Sequence, residues 1–212
     1  MKKSIGMVAL LFFTVVGLSL GQARKVLEIQ AGYLDPKGTA AGFIFGGNYG
    51  ISFEDRVDLT LGVSFFHKTY RQDTAVADTD YVSGVHESKV TRELEYSTSL
   101  LPLSANVVIH IPSFHPSVLW YAGGSLSYQF LFNTENNYED GIKEKRNYSG
   151  FGWMARAGLE YMIGYHTSVT LEAFYNGCKV QGDKEETEGL PVWSEVDVSG
   201  LGFRAGVRLG FN

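Results

Sequence analysis

The sequence predicts an all-β fold: an eight-stranded antiparallel transmembrane β-barrel with short turns at one end and long loops at the other. Eight segments alternate apolar and polar residues with a period of two, which is typical of strands with one apolar face. Short and long connections alternate between these segments. After residue 23, no apolar run is long enough for a spanning helix, and only a closed barrel satisfies the backbone of strands in lipid.

The N-terminus has the organisation of a secretory signal peptide. Positive charge at Met1–Lys3 precedes an apolar run from Ile5 to Leu20, and small residues follow at Gly21 and Ala23. Cleavage after either small residue fits the pattern. The predicted domains are therefore a signal peptide over 1–23 and a barrel over 24–212. A spanning helix is the weaker interpretation because about 20 apolar residues are needed to cross a bilayer.

Charge and cysteine content exclude two classes of protein. The formal net charge is −5, and it becomes −7 once the leader with its two lysines is removed. A nucleic-acid partner requires clustered Lys and Arg, so none is expected. Cys178 is the only cysteine, which excludes an intramolecular disulfide framework.

Four strands are predicted in the first half of the chain. The first runs from about Val26 to Tyr33 and the second from about Ala41 to Ile51, with a turn at Asp35–Gly38 between them. The third runs from about Val57 to Lys68. The fourth ends at Ile111, after which two prolines bound a compact turn.

Four further strands are predicted in the second half. They run from about Val118 to Phe132, Gly150 to Ile163, Ser168 to Val180 and Val198 to Phe211. Short connections follow the second, fourth and sixth strands. Long hydrophilic connections follow the third, fifth and seventh, at Thr69 to about Arg92, Asn133 to Tyr148, and Gln181 to about Glu195.

The last strand indicates which face meets lipid. One side carries only apolar residues, from Leu201 to Phe211, whereas the other carries Arg204 and Arg208 among glycines. A soluble lipocalin-like barrel of eight strands is the alternative, and it would place the apolar side inside. Arginines on the glycine-rich side favour a polar lumen and a lipid-facing apolar wall.

Outward aromatic residues are predicted to form two girdles at the membrane interfaces. One girdle, near the short turns, contains Tyr49, Trp120, Tyr161 and Phe211, and the other, near the long loops, contains Tyr33, Phe65, Phe130, Trp153 and Tyr175.

These features together resemble the small outer-membrane β-barrel superfamily that includes OmpA-type and OmpW-type domains and the opacity-like proteins. The chain departs from the usual ending because Asn212 follows the terminal aromatic residue. The resemblance implies an integral protein of the Gram-negative cell outer membrane with porin-like architecture and short periplasmic turns. Its expected partners are outer-membrane lipid and lipopolysaccharide, with barrel-assembly machinery and periplasmic chaperones during biogenesis. We expect a monomer without a cofactor.

Inward-facing charged residues form the candidate site. Strands six, seven, eight and one become neighbours when the barrel closes, so these charges can pair across the seam. Such a network either plugs the lumen structurally or gates a narrow path for protons, ions or a small solute. The predicted network comprises Glu28, Asp58, Arg156, Glu160, Glu172, Arg204 and Arg208.

Other chemistry is sparse, and neither a catalytic nor a metal site is predicted. Lipid-A-modifying enzymes share this architecture, but only His67, with Ser64 or Asp73, lies near the outer end, and no catalytic spacing is recognisable. The loops carry acidic residues that are either solvated or able to share divalent cations with lipopolysaccharide, and aromatic residues that a ligand could contact. The acidic residues are Asp73, Asp78, Asp80, Asp183, Glu185, Glu186 and Glu188, and the aromatic residues are Tyr70, Tyr81, Tyr138 and Trp193.

The predicted function is therefore a non-enzymatic structural or surface-interaction role. A narrow channel for small or hydrophobic solutes is the first alternative, and its only hints of an apolar pocket are the inward Phe66 and Phe174. A lipid-A-modifying enzyme is the second alternative.

Overall fold

The chain folds into nine β-strands in the part that the structure describes. This computed structural model describes residues 23–54, 56–79, 87–137, 142–187 and 190–211. The predicted signal peptide lies almost wholly outside them and stays a prediction. No helix in the described residues is long and apolar enough to cross a membrane. The strands are β1 Arg24–Pro36, β2 Gly42–Phe53, β3 Val57–Thr79, β4 Glu87–Pro112, β5 Val118–Asn137, β6 Ile142–Met162, β7 Thr167–Thr187, β8 Leu190–Asp197 and β9 Gly200–Phe211.

Eight of these strands close into an antiparallel barrel. Each strand from β1 to β7 pairs with the next, and β9 pairs with both β7 and β1. The additional strand β8 pairs with β7 alone and keeps the register of β9, since Lys179 lies opposite Asp197 and Asn176 opposite Gly200. The predicted eight-stranded barrel is confirmed, with one extra strand that prolongs its last strand.

The hairpins at one end are longer than the sequence predicts. Most of the segment from Thr69 to Arg92 belongs to β3 and β4, and most of the other two predicted loops is also strand. The period of two is visible only where one face is apolar. These outer segments have polar residues on both faces, so the alternation disappears from the sequence. Their backbones nevertheless remain paired.

The two ends of the barrel differ in their connections. Short connections join β2 to β3, β4 to β5 and β6 to β7, and the start of β1 and the end of β9 lie at the same end. We call this the short-turn end. The opposite, long-hairpin end carries the hairpins β3–β4, β5–β6 and β7–β8.

Inward and outward side chains alternate along each strand. In β9, Leu201 and Phe203 are 61% and 66% exposed on the outer wall, whereas their neighbours Gly202 and Arg204 are buried in the lumen. The same alternation in the other strands gives the barrel an apolar outer wall.

Apolar residues fill the lumen toward the long-hairpin end. We call this cluster the outer plug. It includes Cys178, which is a free thiol. The remaining members are Leu34, Ile44, Phe66, Leu100, Leu131, Tyr148, Met154, Phe174, Val180 and Val198. The lumen toward the short-turn end is lined mainly by polar and charged side chains.

Candidate functional site

The upper charge cluster consists of Arg156, Glu172 and Arg204 and lies beneath the outer plug. Strand register produces it, because Glu172 on β7 lies directly opposite Arg204 on β9 and diagonally from Arg156 on β6. Arg204 donates from Nε to Glu172 Oε1 at 3.0 Å and from Nη2 to the same oxygen. Arg156 Nη1 lies 3.5 Å from Glu172 Oε2. One buried carboxylate thus bridges two buried arginines.

Arg204 also contacts the outer plug directly. Its guanidinium carbon lies 4.3 Å from the centroid of the Phe174 ring, within cation–π range. Its Nη2 donates to Met154 Sδ at 3.4 Å. Arg204 therefore joins the apolar and charged halves of the lumen.

The lower charge cluster consists of Asp58, His110, Glu160 and Arg208. Arg208 Nη2 donates to both Asp58 oxygens, at 2.9 and 3.1 Å, and Nη1 donates to Glu160 Oε1 at 3.0 Å. Glu160 also accepts a hydrogen bond from the Ser168 hydroxyl. Charge-assisted hydrogen bonds to two carboxylates offset the desolvation of the arginine.

His110 is the member of the lower charge cluster that the predicted network omitted. Its Nε2 lies 3.0 Å from Asp58 Oδ2 and its Nδ1 lies 3.2 Å from Glu160 Oε2. Both ring nitrogens therefore lie beside carboxylate oxygens of the lower charge cluster. The signal was present in the sequence, because His110 alternates inward near a short turn, as Asp58 does.

Glu28 belongs to neither charge cluster. It lies opposite Arg208 in the β1–β9 register, but that arginine reaches Asp58 and Glu160 instead. Glu28 accepts hydrogen bonds from Asn48 Nδ2 at 3.0 Å and Thr170 Oγ1 at 3.2 Å, and no described residue forms an ion pair with it. The structure thus brings six of the seven predicted residues into ion pairs. The seventh, Glu28, is hydrogen-bonded to the uncharged side chains of Asn48 and Thr170.

The outer plug closes the lumen above these charges. Leu34, Leu100 and Leu131 are each 1% exposed, and Phe66 is fully buried. The two inward phenylalanines that hinted at an apolar pocket are themselves packed in the outer plug. Side chains therefore occupy the space that an apolar solute would need.

The nine residues of the predicted girdles all lie on the outer wall. Trp153 and Tyr175 pack with ring centroids 5.6 Å apart, and Tyr49 stacks on Phe211 at 6.4 Å. The second contact links β2 to the end of β9 across β1. Their role as interfacial anchors remains a prediction.

His67 lies exposed on the outer wall near the long-hairpin end. Its Nδ1 is 2.9 Å from Ser99 Oγ and its Nε2 is 3.3 Å from Thr69 Oγ1. Among the residues whose side chains the structure describes, no carboxylate contacts the His67 ring. The side chain of the predicted partner Asp73 is not among them. Ser64, the other predicted partner, faces inward on the opposite side of β3.

The predicted loop residues lie mostly outside the described side chains. Tyr70, which is exposed, is the exception among the acidic and aromatic residues named for the loops. Among the described residues, no group of three or more His, Cys, Asp or Glu side chains is arranged to hold a metal ion.

Comparison with known proteins identifies the class. The outer membrane protein beta-barrel domain family matches residues 13–211, so the chain belongs to this family. The protein is therefore an outer-membrane β-barrel, its short-turn end is periplasmic and its long-hairpin end is extracellular. No curated protein matches the chain significantly.

Solved structures share the fold at low sequence identity. A major outer membrane protein from Thermus thermophilus has a TM-score of 0.57 at 15% identity and covers 90% of this chain and 100% of its own. OprG from Pseudomonas aeruginosa has a TM-score of 0.56 at 13% identity, with coverages of 90% and 96%. Neisserial surface protein A has a TM-score of 0.54 at 14% identity, with coverages of 89% and 97%. At these identities the likeness concerns the fold alone.

Proposed function

We propose that the protein is a closed, non-enzymatic barrel with a structural or surface-interaction role in the outer membrane. The observation that carries this proposal is the outer plug, whose leucine, isoleucine and phenylalanine side chains are at most 2% exposed. Beneath it, the upper and lower charge clusters fill the periplasmic half. Outer-membrane lipid and lipopolysaccharide surround the apolar wall, barrel-assembly machinery and chaperones act during biogenesis, and the chain works as a monomer without a cofactor.

The extracellular hairpins support the surface role. Strands β3 to β6 remain paired far beyond the outer plug, with Asn137 opposite Ile142 at the end of the β5–β6 hairpin. Polar residues there, including Lys143 and Lys145, have exposed side chains that a partner can contact. A paired sheet holds such a surface in a defined shape at low entropic cost on binding.

The alternative of a narrow channel requires the outer plug to move. The gating interpretation of the charges concerns only the periplasmic half, because the outer plug lies between Arg204 and the extracellular end. A continuous aqueous path would have to displace Phe66, Leu100 and Leu131 from close packing.

The lipid-A-modifying alternative rests on His67 and Ser99. A hydroxyl within hydrogen-bond distance of a histidine is the first element of a nucleophile–base pair, but a third group normally orients the base. Here the second ring nitrogen meets the hydroxyl of Thr69. We expect identical lipid A mass spectra after deletion and after overexpression, and a changed acyl pattern that depends on Ser99 would favour an enzyme.

Liposome swelling tests whether the lumen is closed. Liposomes that contain the folded protein should swell in arabinose at the rate of protein-free liposomes, whereas a general porin serves as the positive control. Glu172→Ala should behave like the wild type, because Glu172 is not part of the outer plug that closes the lumen. Swelling above the protein-free rate with the wild-type protein would favour the channel.

Epitope display tests the orientation on which the surface role depends. A tag inserted within 138–141 should bind antibody on intact cells, because the β5–β6 hairpin is extracellular. The matched control places the same tag after Gly164, in a periplasmic turn, where binding should require a permeabilised outer membrane. Equal binding to both insertions on intact cells would contradict the proposed orientation.

A further inference from the structure

A small polar cavity separates the upper charge cluster from the lower one. Its volume is about 20 Å³. A cavity needs roughly 10–15 Å³ to hold one water molecule, so this one accommodates a single water and no larger ligand. Residues from both charge clusters contribute to its wall, together with Val108, Tyr121 and the hydroxyl-bearing residues Thr60 and Thr170.

Several buried polar atoms on the cavity wall have no hydrogen-bond partner among the described residues. They are the Tyr121 hydroxyl, Arg156 Nε, His110 Nδ1, Glu160 Oε2 and Arg208 Nε. The histidine and glutamate atoms of this set are 3.2 Å apart but not aligned for a hydrogen bond with each other. Apart from Arg208, each of these five residues is at most 6% exposed. An unpaired buried polar group costs about 1–3 kcal/mol, so a shared partner is strongly favoured.

The local sequence keeps this space open. Gly158 lies opposite Tyr121 in the β5–β6 register. A Cβ atom at Gly158 would lie 2.7 Å from the tyrosine hydroxyl oxygen, closer than real Cβ atoms approach. Gly158 thus provides the room in which the Tyr121 side chain lies over the neighbouring strand β6 beside the cavity.

We propose that this cavity is a binding site for one ordered water molecule that links the two charge clusters. The water accepts from donors such as the Tyr121 hydroxyl and Arg156 Nε, and donates to Glu160 Oε2. Buried waters typically make about three hydrogen bonds to groups that are otherwise unsatisfied, which this wall supplies. The link extends the hydrogen-bond network from Asp58 up to Glu172.

The water site exchanges with the periplasm alone. A second cavity, of about 100 Å³, lies at the periplasmic end and is lined by Tyr165, His166 and Thr167. Val26, Glu160 and Arg208 line both cavities and therefore form the partition between them. On the opposite side, the outer plug separates the water site from the cell exterior. Exchange requires only a local opening of the Glu160–Arg208 pair.

Nuclear magnetic resonance on isotope-labelled protein in lipid nanodiscs tests the site. Magnetisation transfer from water should reach the methyl groups of Thr60 and Thr170, which line the cavity, and should not reach those of Leu100 and Leu131 in the outer plug. Val108→Leu adds a methylene to the cavity wall and should reduce the transfer to both threonine methyls several-fold. Val107→Leu is the matched control, since the neighbouring side chain is 47% exposed on the outer wall, and it should leave the transfer unchanged.

The outcomes separate this inference from the proposed function. No transfer to the threonine methyls of the wild type, or undiminished transfer in Val108→Leu, would overturn the water site and leave the closed lumen intact. Transfer to the leucine methyls of the outer plug would overturn the closed lumen instead. If Val108→Leu does not fold, Tyr121→Phe removes one water ligand while keeping the ring, and it should weaken the transfer.

Discussion

The two halves of the lumen are filled by opposite chemistry. The extracellular half holds the outer plug of mainly Leu, Ile, Val and Phe side chains around a buried Gln129–Asn176 pair, whereas the periplasmic half holds arginines and carboxylates in ion pairs. Apolar packing is non-directional, so the outer plug tolerates changes of shape within its volume. The charge clusters depend on each partner, because a single buried charge left alone is strongly unfavourable. Closure of the lumen therefore depends on the extracellular half, and the dependence on individual partner residues belongs to the periplasmic half.

The largest effect should come from Glu172→Ala. This change leaves both Arg156 and Arg204 buried without their carboxylate, and breaking such a pair costs about 3–5 kcal/mol. The free energy of unfolding, measured by urea titration in lipid vesicles, should fall by that amount.

A triple variant is the control for Glu172→Ala. Glu172→Leu combined with Arg156→Met and Arg204→Met removes all three charges together and should recover most of the lost stability. A triple variant as unstable as the single one would mean that the ion pairs themselves, rather than unpaired charge, carry the stability of this half.

The next effect concerns the outer plug. Phe66→Ala removes a fully buried ring and should lower the free energy of unfolding by about 3 kcal/mol through the lost contacts and the resulting cavity. Phe65→Ala, one residue earlier, changes a side chain that is 47% exposed on the lipid-facing wall, where lipid fills the vacated space, so the variant should cost less. Equal losses for the two variants would contradict the assignment of inward and outward faces.

A smaller loss is expected for Arg208→Leu. Its side chain is 15% exposed, and both partner carboxylates keep their contacts with His110, so we expect about 2 kcal/mol. Membrane insertion should be retained. On a gel, the folded band should convert to the unfolded mobility at a lower temperature than for the wild type. Identical conversion at all temperatures would count against the lower charge cluster as a stabilising element.

The smallest effect should come from Lys179→Gln. Lys179 Nζ lies 2.8 Å from Glu195 Oε1 on the extracellular β7–β8 hairpin, with both side chains exposed. The ammonium lowers the pKa of the Glu195 carboxyl, but exposed pairs of this kind contribute little to stability because water and salt screen them. The urea midpoint should be unchanged within error, and a clear shift would show that the hairpin is coupled to the barrel.

Sequence patterns predicted the barrel better than the site. Alternation in the last strand identified the lipid face, and the inward positions of Arg156, Glu172 and Arg204 followed from it. The partner choice of Arg208 did not follow, because Glu28 lies opposite it in register while its long side chain reaches two carboxylates elsewhere. The outer plug also could not be predicted from the alternation. Its members Leu34, Ile44 and Val180 come from different strands and form one cluster only after the barrel closes.

Planar-bilayer conductance tests the closed lumen most directly. Folded wild-type protein should give no discrete current steps at any applied voltage, and Glu172→Ala should be equally silent because the outer plug remains in place. Reproducible steps from the folded wild type would contradict the account.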